Sequence, residues 1–197
     1  MNKELITDIK KELRASMNGV ASAAMRQTED YRVNFGVELP RLQLIASEFQ
    51  PGRELAQALW NESVRECRIL ATILMPSEEF DEEMCEIWAS EIKTVEMAQI
   101  FALNLMSRLP YASRKAFKWI AAEAAMLQIT GYFTMCHVLR LGEMSERSAE
   151  ELLDHLACDI QSDDTNIRKA AVRTLQIFAN QSDINMEKAK KTADYLF

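Results

Sequence analysis

Tyr111, Arg114, Lys115 and Lys118 recur at i, i+3, i+4 and i+7, the spacing that gathers side chains on one face of a helix. Arg108 precedes them across Pro110. A row of cations with an aromatic ring at its end can hold phosphate oxygens while the ring packs on a sugar or base. Arg108, Tyr111, Arg114, Lys115 and Lys118 are therefore the candidate DNA- or phosphate-binding residues. The plainer alternative is a solvated face whose charges answer an acidic helix. Cys136, His137, His155 and Cys158 are metal-ligating types. Adjacent helical residues diverge by about 100°, however, and no pair here repeats with zinc-finger spacing. No metal is expected. The chain also lacks a Gly-rich phosphate loop, a Gly-x-Ser-x-Gly elbow and a His-Glu-x-x-His pair, so no cofactor is expected either.

The elements that carry these residues are helical. Only 5 Gly and 4 Pro occur in 197 residues, while 48% of the chain is hydrophobic. Sheet proteins consume turn residues, whereas Ala, Leu, Glu, Met and Lys favour helix. Amphipathic periodicity predicts helices near 2–17, 19–29, 39–48, 52–60, 63–75, 78–91, 94–108, 111–127, 131–141, 148–160, 164–180 and 185–196. Pro40, Pro51, Pro76 and Pro110 fall at their boundaries. Ser77 before Glu78 and Glu79 reads as an N-cap, Ser148-x-x-Glu151 as a capping box, and Gly142 as a helix end.

Twelve short helices with brief connections suit stacked antiparallel pairs, so the expected fold is all-α: one irregular HEAT-like α-solenoid domain over residues 1–197. Asn61 to Cys67 and Asp164 to Ala170 each set a polar cap before a β-branched residue, an Arg, a charge and a small residue. Both resemble the second helix of a HEAT repeat, with Asp163 or Asp164 available to Arg168. Their separation of 103 residues is no multiple of the roughly 40–47-residue HEAT period.

Net charge is −7, which argues against a protein whose business is nucleic acid, but the charge is segregated. Residues 77–99 hold eight acids and one base, a balance of −7, while residues 103–122 hold four bases and no acid. No apolar run reaches the roughly 18–20 residues of a membrane span, and the charged N-terminal stretch lacks the apolar centre of a signal peptide. Four cysteines without paired spacing read as free thiols of a reducing cytoplasm.

A more specific resemblance rests on Phe35-Gly36-Val37-Glu38-Leu39-Pro40-Arg41-Leu42, then Leu55-Ala56-Gln57-Ala58-Leu59-Trp60, then Arg65-Glu66-Cys67-Arg68-Ile69-Leu70-Ala71. Over roughly residues 20–140 the chain resembles the AlkD-like DNA alkylation repair family. The resemblance implies a HEAT-like solenoid that wraps DNA on a concave basic face and releases cationic alkylated purines. That chemistry needs a carboxylate beside the glycosidic carbon and aromatic faces for the cationic base. Family members supply them from a Trp-Asp-x-x-Asp-like stretch, and the matching residues here are Val95-Glu96-Met97-Ala98-Gln99. Val95 replaces the aromatic and Gln99 stands at the expected acid position. A glutamine hydrogen-bonds but carries no negative charge. The helix after Trp119 also lacks the family's cleft Arg.

The expected function is thus a non-catalytic relative of the repair proteins, binding duplex DNA or another extended partner in a concave groove. One alternative is an active DNA glycosylase in which Glu96 or Glu123 takes the acid role. The other is a protein-binding solenoid with no nucleic-acid role, which the net acidity favours.

Overall fold

The computed structural model describes residues 2–28, 31, 33–142 and 144–197. Their helices are α1 (Asn2–Ala15), α2 (Gly19–Thr28), α3 (Leu39–Ser47), α4 (Arg53–Trp60), α5 (Arg65–Leu74) and α6 (Glu82–Ser90). There follow α7 (Val95–Asn104), α8 (Ala112–Ile120), α9 (Ala125–Leu141), α10 (Glu146–Asp159), α11 (Thr165–Ala179) and α12 (Asp183–Ala193). Among the described residues the only β-type pairing is an isolated bridge between Val33 and Val64. None of the described helices is long and apolar enough to cross a membrane. The chain divides into two compact units, Met1–Trp88 and Ala89–Phe197.

In the first unit α1 packs on α4, α4 on α5, and α5 on α3. Trp60 and Trp88 lie fully buried and stacked, with centroids 4.2 Å apart and planes 3° from parallel. Phe80 meets Trp88 edge-on, and the Trp88 indole donates to Gln57 Oε1 at 3.1 Å. The Arg68 guanidinium lies 5.2 Å from the Trp60 ring centroid. An aromatic pair of this kind adds about 0.5–1.5 kcal/mol beyond its area.

The segments that carried the family resemblance interlock here. The buried Glu66 carboxylate accepts hydrogen bonds from Phe35 N at 3.0 Å, from Val37 N at 3.3 Å and from the buried Arg65 guanidinium at 3.0 Å. Arg65 also donates to Val37 O at 3.0 Å, and its own backbone N–H donates to Val33 O at 3.0 Å. Gly36 makes the turn possible. Its φ is +69°, and a Cβ there would lie 2.3 Å from Asn18 O.

The second unit is built on α9. α7 and α11 flank it, α8 packs along it, and α10 and α12 pack on α11. Side-chain donors tie the elements: Tyr132 Oη and Gln128 Nε2 both donate to Asp159, Thr174 Oγ1 donates to Tyr132 O, and Gln181 Nε2 donates to Leu139 O. Burial first, then the Asp159 carboxylate, pushes the Tyr132 hydroxyl far above its usual range.

Three local expectations are corrected. The helix predicted over 111–127 ends at Ile120, and the next begins at Ala125 rather than 131. Gly131 is no helix start. It sits within α9 where α8 crosses, and a Cβ there would fall 2.7 Å from Ile120 N and 3.0 Å from Ala116 O. Tertiary packing overrides the alanine-rich stretch at 121–125. The acidic helix starts at Glu82, capped by Asp81, which accepts from Met84 N at 2.8 Å; Ser77–Glu79 form only a 3₁₀ turn. That bond and Arg53 hold the Asp81 carboxyl below its usual range. Ser145, not Ser148, caps α10, accepting from Ser148 N.

The repeat signature shifts as well. Asp164 caps α11, and Arg168 donates instead to Ser162 O and Thr165 Oγ1. Arg68 likewise reaches back six residues, to Glu62 O. Arg68, rather than Arg65, is therefore the counterpart of Arg168.

Gly131→Ala separates the two effects of a helix glycine. Helix propensity alone would stabilise the protein by roughly 1 kcal/mol. Because the new methyl meets backbone, the expected net result is destabilisation by about 1–3 kcal/mol, read from the thermal midpoint. A raised midpoint would contradict the close crossing of α8 and α9.

Cys67, Cys85 and Cys136 are buried and Cys158 is exposed. Burial, reinforced by Glu62, pushes the Cys67 thiol up to about 12. A thiol reagent at neutral pH should label Cys158 alone in the folded protein and all four cysteines in denaturant. Rapid labelling that survives Cys158→Ser would contradict the packing.

Candidate nucleic-acid interface

The helices α7, α9 and α11 border a half-open cavity of about 200 Å³ lined by Gln99 and Leu103 of α7, Phe133, Cys136, His137 and Arg140 of α9, and Arg173 of α11. Local sequence explains the placement. Thr94 caps α7 by accepting from Met97 N, and Met97, Ala98, Phe101 and Ala102 turn inward, leaving Gln99 and Leu103 outward. On α9 the residues at 132, 135, 136 and 139 are buried, which brings His137 and Arg140 to the rim. Arg173 lies on the exposed face of α11 with Asn166, Lys169, Gln176 and Asn180, a face without an acid.

The cavity is cationic. Arg140 and Arg173 have no carboxylate partner among the described residues, and no carboxylate lines the recess. His137 is half-buried, and burial first, then Arg140 and Arg173, holds its imidazole below the ordinary histidine range. Phe133, Leu103 and Cys136 form apolar walls, and Cys136 Sγ lies 3.3 Å from Thr174 Oγ1. Such a recess favours an anion with several acceptor oxygens, since guanidinium matches phosphate in two parallel bonds.

The depressed His137 pKa has a consequence for stability. The unfolded chain binds this proton more readily than the folded one, so stability falls as pH drops through the ordinary histidine pKa. His137→Asn should remove part of the stability difference between about pH 7.5 and pH 5.5, measured by urea unfolding. An unchanged difference would place His137 in an ordinary solvated setting.

The sequence-predicted residues are dispersed. Arg108, Arg114 and Lys118 are exposed, Tyr111 is half-buried, and Lys115 is buried at 6% exposure. Helix α8 turns Ala112, Lys115, Ala116 and Trp119 inward, which splits the basic face read from spacing alone. Glu96 is half-buried in the first turn of α7, and Glu123 is exposed between α8 and α9; neither lines the cavity. Gln99 does. Among the described residues no three His, Cys, Asp or Glu side chains gather as a metal site. Arg140 and Arg173 escaped the sequence reading because 33 positions and an intervening helix separate them. The acid-free outer face of α11 was the one available signal.

The family described as DNA alkylation repair enzyme matches residues 9–189. The chain belongs to that family. Gln99, expected from the sequence to stand in place of the acid of the DNA alkylation repair family, lies on the wall of the cavity. The fold is that of the HEAT-like repeat DNA glycosylases' relatives: a solved structure matches with a TM-score of 0.87 and 19% identity, covering 96% of this chain and 82% of that one. That structure comes from a family of proteins related to the HEAT-like repeat DNA glycosylases with affinity for branched DNA structures. No curated protein matches this chain by sequence.

Proposed function

We propose that this member of the DNA alkylation repair family binds DNA without releasing bases, and that the recess between α7, α9 and α11 holds a phosphate group of the DNA. The observation that carries the reading is the sign of the charge at Gln99. Removing a cationic purine requires a carboxylate to face positive charge developing at the sugar. Here Gln99 is neutral and its neighbours across the cavity are Arg140 and Arg173. A cation about 4 Å from one guanidinium is opposed by about 4 kcal/mol at an effective dielectric of ~20. A phosphate in the same place is favoured by a comparable amount.

Arg108, Arg114 and Lys118 are proposed as further phosphate contacts in the same unit. Tyr111 and Lys115 have a smaller exposed area and serve mainly to seat α8. The affinity for branched DNA stated for the family of the structural neighbour makes branched duplexes a natural substrate to test.

The test is a fluorescence-anisotropy titration with linear, alkylated and branched duplexes at low and moderate salt. Binding that weakens steeply with salt, without preference for alkylated duplex, is expected. Absence of binding to every duplex at low salt would overturn the reading and leave a protein-binding scaffold, which the net charge of −7 favours.

A further inference from the structure

We infer that the cavity between α7, α9 and α11 is a socket for a terminal phosphate monoester, so that the protein recognises phosphorylated DNA strand ends. This rests on the DNA-binding reading and specifies which phosphate the recess takes.

The first argument is shape. At ~30 Å³ per water-sized group, the cavity of about 200 Å³ has room for roughly six or seven such groups. That accommodates a phosphate and its first ester atoms. The recess is open on one side, and a diester within a running strand, with a sugar on both sides, presents only its two free oxygens to it. A terminal phosphate has one covalent neighbour and can enter end-on.

The second argument is charge. A phosphate monoester carries about −1.5 to −2 near neutral pH and presents three acceptor oxygens. A backbone diester carries one charge and two such oxygens. Arg140 and Arg173 arrive from different helices, and both charges act on His137. Two guanidinium groups without a lining carboxylate match a dianion. The buried Phe133 ring gives the two guanidinium groups an apolar floor on one side. Burial first, and then the two arginines, disfavour protonation of His137. A bound dianion reverses that field, so binding should draw a proton onto the ring and add a third donor.

The experiment uses the full chain and one duplex prepared with 5′-phosphate, 3′-phosphate or hydroxyl ends, plus a closed dumbbell without ends. The expected result is at least tenfold tighter binding of one phosphorylated form than of the hydroxyl and closed forms. Inorganic phosphate should compete with it, and proton NMR should show the His137 ring pKa rising when that end binds. Arg140→Gln and Arg173→Gln should each abolish the preference, but the comparison of ends in the unaltered protein stands even if a variant folds poorly. Equal affinity for all four DNAs overturns the strand-end inference while leaving DNA binding intact. Failure to bind any of them overturns both.

Discussion

Replacing Glu66 by Ala is expected to lower stability by about 3–5 kcal/mol, the usual consequence of removing one partner from a buried ion pair. The size follows from what is left behind. Glu66 is fully buried, Arg65 is 3% exposed, and the carboxylate also serves the backbone N–H groups of Phe35 and Val37. Its loss removes the carboxylate that a buried guanidinium donates to and the acceptor that two backbone N–H groups share. A domain usually has only about 5–15 kcal/mol in total, so much of the folded margin disappears. Glu66→Gln should fall between the variant and the parent, because an amide oxygen still accepts but cannot balance the charge. Trp60 and Trp88 stack in the same unit as Glu66, so their fluorescence in urea reports the transition. A loss below about 1 kcal/mol for Glu66→Ala would mean that the carboxylate is solvated and that the segment at 33–37 is held by other means.

The double change Arg140→Gln, Arg173→Gln is expected to weaken DNA binding about a hundredfold or more. A hydrogen bond to a charged group is worth roughly 1.5–3 kcal/mol, and two of them correspond to at least two decades in affinity. The salt dependence should change with it, the log–log slope becoming shallower by about 1.8 if two phosphate contacts are lost. Lys190→Gln with Lys191→Gln is the matched control. Both residues are exposed on α12 and carry the same charge, yet they lie away from the recess. If the control weakens binding as much as the arginine pair, net charge alone governs affinity and the recess has no special part. Arg114→Gln with Lys118→Gln in the same assay measures how far the α8 cations contribute.

How much of this could be read from the residues differs by element. The helices follow from periodicity and from scarce Gly and Pro, and family membership from the stretches at 35–42 and 65–71. Those stretches are recognisable because they are one physical object: Gly36 supplies a backbone conformation that side chains oppose, and Glu66 closes over it. What periodicity cannot supply is the neighbour. Gly131 reads as a break until α8 is seen against it, and Lys115 reads as a surface cation until α8 is rolled onto α9. The helix starts at 82 and 146 were misplaced because Asp81 and Ser145 compete with nearby cap-forming residues, and the bond actually made decides between them. Arg140 and Arg173 were invisible for a different reason. A site assembled from α7, α9 and α11 leaves no spacing rule in the chain.

The central claim is that a cationic recess occupies the position where the family's acid is expected. It is tested most directly by single-turnover incubation of excess protein with a duplex bearing a cationic alkylated purine, with bound and released base measured in the same sample. Full binding is expected, with base release no faster than in buffer alone. Release above that background, lost in Glu96→Gln or Glu123→Gln, would contradict it and establish a glycosylase.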